Sequence, residues 1–134
     1  WGGSGGGEKI QSLIEAGMRG TKAVIPEEQT MAFEYIYADD MGRAVDLAAT
    51  KEGLPADAAY NLSWGRAITF AELVTAVKST LPDLEVEIKP GTAPTSRMVP
   101  LDTSRARDEL AWEPSFTLEE ALAAYAEEFR TRNA

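Results

Sequence analysis

The stretch Phe33–Val45, FEYIYADDMGRAV, changes its period in the middle. Tyr35, Ile36 and Tyr37 favour an extended chain, since aromatic and β-branched side chains suit a pleated, half-buried surface. After the two aspartates, Met41, Ala44, Val45 and Ala48 recur at helical spacing. The stretch therefore predicts a short strand running into an amphipathic helix. Asp39 or Asp40 stands where a carboxylate caps such a helix by accepting from an unpaired N–H. The same pair could in principle do acid–base work.

Working outward, the alternation continues on both sides. Residues 1–7, WGGSGGG, read as loop or linker by composition, and residues 8–134 read as the folded region. From Glu8 the residues Ile10, Leu13, Ile14 and Met18 make a helical stripe that Gly20 stops. KAVIP (22–26) reads as a short strand ending at Pro26, and EEQTMA (27–32) as a polar loop. Gly53 and Pro55 close the helix that begins near Asp40. AYNLS (59–63) is the next short strand, followed by a turn at Trp64-Gly65-Arg66. Thr69 with Glu72 three residues on makes a capping box, and Phe70, Leu73, Val74, Val77 and Leu81 form the stripe behind it. In LEVEIK (84–89) Leu84, Val86 and Ile88 alternate with Glu85, Glu87 and Lys89, the pattern of a strand with one face in water. Residues 90–100 form an irregular crossing. Asp102 or Thr103 caps a short helix to Leu110, and Trp112 reads as a plug at the turn that follows. Thr117 with Glu120 is a second capping box, opening a helix lined by Leu118, Ala121, Leu122, Tyr125 and Phe129. The sum is an α/β (mixed α+β) domain of about five helices and four short strands. Strands this short and irregular do not build a complete doubly wound parallel sheet.

Composition removes several function classes. The 134 residues carry 22 acidic and 13 basic side chains, for a net charge of −9, with no basic cluster to neutralise phosphates, so nucleic acid is not an expected partner. No apolar run approaches the roughly 20 residues that span a bilayer, so a membrane is not expected either, and a cytoplasmic location is the default. With no cysteine and no histidine, disulfides, zinc fingers and a Ser-His-Asp triad are excluded, and no metal site is expected.

The glycine-rich start invites comparison with a phosphate loop. A dinucleotide fingerprint requires a preceding strand and its own glycine spacing. Ser4 breaks that spacing counted from Gly2, and Glu8 breaks it counted from Gly3; Glu8 also stands where a Walker loop would need glycine before Lys9. Two aromatic residues and one arginine remain as binding candidates. Trp64 sits in a turn, either as a ligand anchor or packed beneath the turn. Arg97 lies in the irregular crossing with no acidic neighbour in sequence, so its guanidinium is either a surface charge or a grip for a substrate phosphate or carboxylate.

Three segments, in order, resemble one family. YIYADDMGRAV (35–45) is similar to its Tyr-x-x-x-Asp-Asp-x-x-x-Ala stretch. YNLSWGRAITFAELV (60–74) is similar to its YN-x-G turn and helix. LDTSRARDELAWEPSFTLEEAL (101–122) is similar to its ending, D-x-x-K/R-A-x-x-x-L-G-W-x-P. By these motifs the chain resembles the C-terminal, substrate-binding part of extended short-chain dehydrogenase/reductases, the UDP-galactose 4-epimerase-like NAD-dependent epimerase/dehydratases. The resemblance implies that the Rossmann sheet, the NAD or NADP site and the catalytic Tyr-x-x-x-Lys pair lie outside this chain. Four residues after Tyr35, Tyr37, Tyr60 and Tyr125 stand Asp39, Met41, Trp64 and Phe129, none of them lysine. The chain is thus expected to hold no catalytic residue, to bind no cofactor alone, and to enclose a sugar, sugar-acid or other small carbonyl substrate in an epimerase, dehydratase or reductase. Phe33 stands where the family carries a phosphate-contacting arginine, and Arg97 is matched to a second one. Phe33, Trp64 and Arg97 are therefore the substrate-binding candidates. The expected partner is the missing Rossmann half, or another copy meeting the same apolar surface. The alternative function is a stand-alone, non-catalytic ligand-binding or interaction module derived from this fold.

Overall fold

A computed structural model describes residues 6–95 and 98–133. Among these there are five α-helices, one 3-10 turn and one two-stranded sheet. The order is α1 (Gly6–Arg19), β1 (Lys22–Pro26), the 3-10 turn (Glu27–Gln29), α2 (Ala38–Thr50), α3 (Phe70–Thr80), β2 (Glu85–Lys89), α4 (Ser104–Leu110) and α5 (Leu118–Asn133). The five-helix, mixed α/β architecture agrees with the sequence pattern. Two of the four expected strands do not.

β1 and β2 are paired in parallel, Lys22 opposite Glu85 and Ile25 opposite Ile88. A parallel pair requires a long crossover, and here the chain passes through α2 and α3 before returning. Ala23 and Ile25 turn inward beneath α1, while Val24 faces out. The larger core joins α1, α3 and α5 to the sheet through Ile10, Leu13, Ile14, Leu73, Val77, Leu84 and Leu122. A fully buried leucine such as Leu13 contributes about 2 kcal/mol by removal from water. A second, smaller cluster gathers Ala44 of α2, Ala106 and Leu110 of α4, and Trp112, with Ile36, Leu47, Leu54, Tyr60 and Leu62 packed on it.

The helix ends follow local chemistry. Both bonds of the Thr69–Glu72 box form at α3. At α5 Thr117 N donates to Glu120 Oε2 at 2.8 Å, and Glu120 N donates to Thr117 Oγ1 at 3.2 Å. Gly20, at φ 62, ends α1. That helix starts at Gly6, two residues inside the glycine-rich stretch, and residues 1–5 of the stretch lie outside the described residues. At α4 Thr103 is the cap residue without a side-chain bond, and Asp102 Oδ1 accepts from Ser104 N at 2.9 Å.

The strand expected at Tyr35–Tyr37 is reduced to one antiparallel bridge, Phe33 with Ile68. Trp64 N donates to Tyr35 O at 3.2 Å, and no further ladder follows. The turn at Gly65, with φ 67, lies between these two contacts and keeps the facing segments from running on. The expected strand at 59–63 is irregular; Tyr60 and Leu62 pack on the smaller cluster, and Asn61 Nδ2 donates to Asp102 O at 3.0 Å. α2 departs from expectation twice. Its cap is Tyr37, with no side-chain bond, so neither aspartate caps it. It also buries Asp40 and Ala44 rather than the full apolar stripe, leaving Met41 and Val45 exposed.

Candidate functional site

The bridge at Phe33 sets the geometry of the region. Phe33 N donates to Ile68 O at 3.1 Å and Ile68 N to Phe33 O at 2.8 Å. The Phe33 ring is half-buried against the larger core, 6.3 Å from the Tyr35 ring. The Lys9 ammonium, from the inner face of α1, lies 4.7 Å from the Phe33 ring centroid and 5.7 Å from that of Phe70. Phe70 also borders an open groove of about 420 Å³ between α3 and β2, together with Val74, Lys78, Val86 and Ile88. Burial alone pushes the Lys9 ammonium down to about 8 and the Tyr35 hydroxyl up to about 12.

Glu34 engages the crossing segment. Its Oε1 accepts from Leu101 N at 2.6 Å, and its own N–H donates to Met98 Sδ at 3.2 Å. The second carboxylate oxygen, Oε2, is buried without a hydrogen-bond partner among the described residues. A buried acceptor of this kind costs free energy until a donor meets it. Sequence reasoning passed over Glu34; its only signal was a charge inside an otherwise apolar, aromatic run.

Of the three candidates from sequence, Phe33 and Trp64 fall on facing segments. Trp64 is half-buried on the larger core, and its Nε1 donates to Phe116 O at 2.8 Å, the arrangement of a side chain packed beneath its turn. Arg97 lies outside the described residues.

Asp40, placed by the sequence at a helix cap, is instead a fully buried clasp. Its carboxylate accepts from Ser115 N at 2.9 and 3.1 Å, Ser115 Oγ at 2.6 Å, Phe116 N at 3.2 Å and Arg43 Nη2 at 2.9 Å. Desolvation pushes the Asp40 carboxyl up, but the bonds from Ser115, Arg43 and Phe116 together outweigh it and hold the group below its ordinary value. Trp112 adds a bond from Nε1 to Asp40 O at 2.9 Å, and Arg43 donates onward to Glu113 O. With every lone pair engaged, Asp40 is structural. Asp39 is exposed and shares none of these bonds.

The outer face of α2 is the other unusual surface. Ala38, Met41, Val45 and Ala48 form one stripe in solvent, with Met41 at 38% and Val45 at 60% exposure. Among the described residues no group of three acidic side chains converges to hold a metal ion, and no helix is long and apolar enough to cross a membrane.

No family model matches the chain. Curated relatives do. The chain is 28% identical over 127 residues to UDP-glucuronic acid decarboxylase 6 of Arabidopsis thaliana, covering 94% of this chain and 36% of that protein. It is 34% identical over 104 residues to UDP-glucose 4-epimerase of Mycolicibacterium smegmatis, covering 75% of this chain and 32% of that protein. Among solved structures it aligns with UDP-glucose 4-epimerase of Thermotoga maritima, crystallised with UDP-glucose, at a TM-score of 0.74 and 26% identity, over 93% of this chain and 40% of that one. UDP-glucuronic acid 4-epimerase of Bacillus cereus shares the fold at a TM-score of 0.79 and 15% identity. The chain thus spans about a third of the length of these curated relatives.

Proposed function

We propose that this chain, a relative of the NAD-dependent epimerase/dehydratases of the extended short-chain dehydrogenase/reductases, is the substrate-binding part of an NAD(P)-dependent enzyme acting on a nucleotide sugar or related sugar. The hydride-carrying cofactor and the Tyr-x-x-x-Lys acid–base pair belong to a Rossmann half outside these residues. The observation that carries this reading is α2. A helix that buries a charged residue and offers Ala38, Met41, Val45 and Ala48 to water is one face of an interface, since apolar area left exposed in one patch marks a contact surface. The Rossmann half is the partner that fits a chain spanning 40% of its structural relatives. Within the site, Phe33 supplies an apolar ring wall, Arg97 a cation for the anionic part of the substrate, and Glu34 Oε2 an acceptor for a substrate hydroxyl.

Three measurements test this. The reading frame immediately upstream of Trp1 should encode a Tyr-x-x-x-Lys; a frame without one overturns the reading. Calorimetry of the isolated chain should show no NAD binding, and binding would count against a cofactor site elsewhere. In the joined protein, Met41→Glu with Val45→Glu should abolish turnover, yet should shift the unfolding free energy of the isolated chain by less than about 0.5 kcal/mol, as for exposed positions.

A further inference from the structure

Lys9 belongs by position to the inner face of α1, beside Ile10, Leu13 and Ile14, and is only 4% exposed. An ammonium buried there must replace its hydration. The usual replacement is a carboxylate, yet among the described residues Lys9 has no ion pair. Its Nζ donates to Gln29 O at 2.9 Å and Met31 O at 3.1 Å, with the Phe33 and Phe70 rings on its other sides. Two carbonyl dipoles and two ring faces make a cage for one cation. Three of the four groups come from the single irregular segment 29–33.

That segment has modest means of its own. Thr30 N and Oγ1 both donate to Glu27 O, which is a local turn. Its ends are fixed by Gly91 N donating to Glu27 Oε2 at 3.0 Å and by the Phe33–Ile68 bridge. Between these ends, the Lys9 charge draws Gln29, Met31 and Phe33 toward one point.

We propose that Lys9 is a proton-controlled pin: charged, it holds Gln29, Met31 and Phe33 in their present arrangement, and neutral, it releases them. Burial sets the exchange near pH 8 rather than at the ordinary lysine value of about 10.4. Among the described residues no charged group pairs with the ammonium. Glu27 is taken by Gly91, Glu34 by Leu101, and Glu72 by Thr69 and Arg66; Glu28 lies against Gly91, Glu8 is exposed, and Lys78 borders the outer groove. On losing its proton the side chain keeps weaker donors and loses its attraction for both ring faces. The consequence for a ligand rests on the proposed role of Phe33; the pin itself does not.

The test is an NMR titration of the chain from about pH 6.5 to about pH 11.5, spanning the lowered and ordinary lysine values. The Lys9 Cε and Nζ resonances should titrate with a midpoint of about 8, and the amides of Gln29, Met31 and Phe33 should move with the same midpoint. In Lys9→Met those amides should stay flat. A Lys9 midpoint above about 10, or amides that stay still while Lys9 titrates, would overturn the pin. The wild-type titration decides the matter even if the variant fails to fold. A parallel titration with UDP-glucose should show affinity falling about tenfold as Lys9 is neutralised and the Phe33 ring is released, the scale of losing part of one ring's apolar contact. Amides that follow Lys9 while that affinity stays flat would support the pin and remove Phe33 from the ligand site.

Discussion

In the larger cluster Leu13, Ile14, Leu73, Val77 and Leu122 meet through apolar surface. In the smaller one the buried set is only Ala44, Ala106, Leu110 and Trp112, and Asp40 adds bonds to Ser115, Phe116 and Arg43. The difference teaches how a domain can fix a second layer cheaply in residues. Burial that grows with area needs whole helices; a single desolvated carboxylate with all its donors present fixes a turn and a helix to one geometry. The cost is fragility, because such a group tolerates no missing partner.

The sharpest way to break the comparison is to remove one member from each cluster. Asp40→Ala should cost about 3 kcal/mol, since it strands the N–H groups of Ser115 and Phe116 and the Arg43 guanidinium. Leu13→Ala should cost about as much through lost transfer and an unfilled cavity. Urea denaturation would give both, and a loss below about 1 kcal/mol for Asp40→Ala would refute the clasp. Acid then separates the pair. The Asp40 carboxyl is held below its unfolded value, so its stabilisation is present above the ordinary aspartate range near pH 4 and is lost as pH falls through the lowered folded value. The gap between wild type and Asp40→Ala should shrink over that interval, while the gap for Leu13→Ala should stay constant. The smallest effect lies at Ala111, which ends α4 at φ 54, in the left-handed region. Ala111→Gly should stabilise by about 0.5–1 kcal/mol by relieving the Cβ, visible as a small rise in the melting temperature. No rise would mean that the turn, held by Asp40 on its far side, already absorbs the strain.

The larger cluster was legible because its chemistry is periodic. Ile10, Leu13 and Ile14 on α1, and Leu73 and Val77 on α3, announce their buried faces by spacing, and the Thr69 and Thr117 boxes mark where helices begin. The smaller cluster was opaque because its decisive contacts join residues roughly 75 positions apart, between Asp40 and Ser115, and no local pattern encodes them. An aspartate at the start of a helix reads as a cap whether it faces water or the core. The apolar stripe of α2 misled for a related reason: spacing identifies an apolar face but not which partner covers it. The short strands at 35–37 and 59–63 failed because β propensity describes side chains that suit a sheet, not the presence of a neighbouring strand. Phe33 was singled out as a candidate through its departure from a family pattern. Lys9 and Glu34 carried no such mark, because their contacts form only when α1 meets residues 29–33 and Glu34 meets Met98 and Leu101.

The backbone of Phe116 is shared between the two clusters. Its N–H donates to Asp40, and its carbonyl accepts from Trp64, whose ring belongs to the larger core. Its ring also rests 4.8 Å from that of Tyr37. Opening either cluster therefore strains a bond that the other needs, and the domain should melt as one cooperative unit rather than peel apart in layers. A residue with no chemistry of its own thereby makes the two clusters mechanically inseparable.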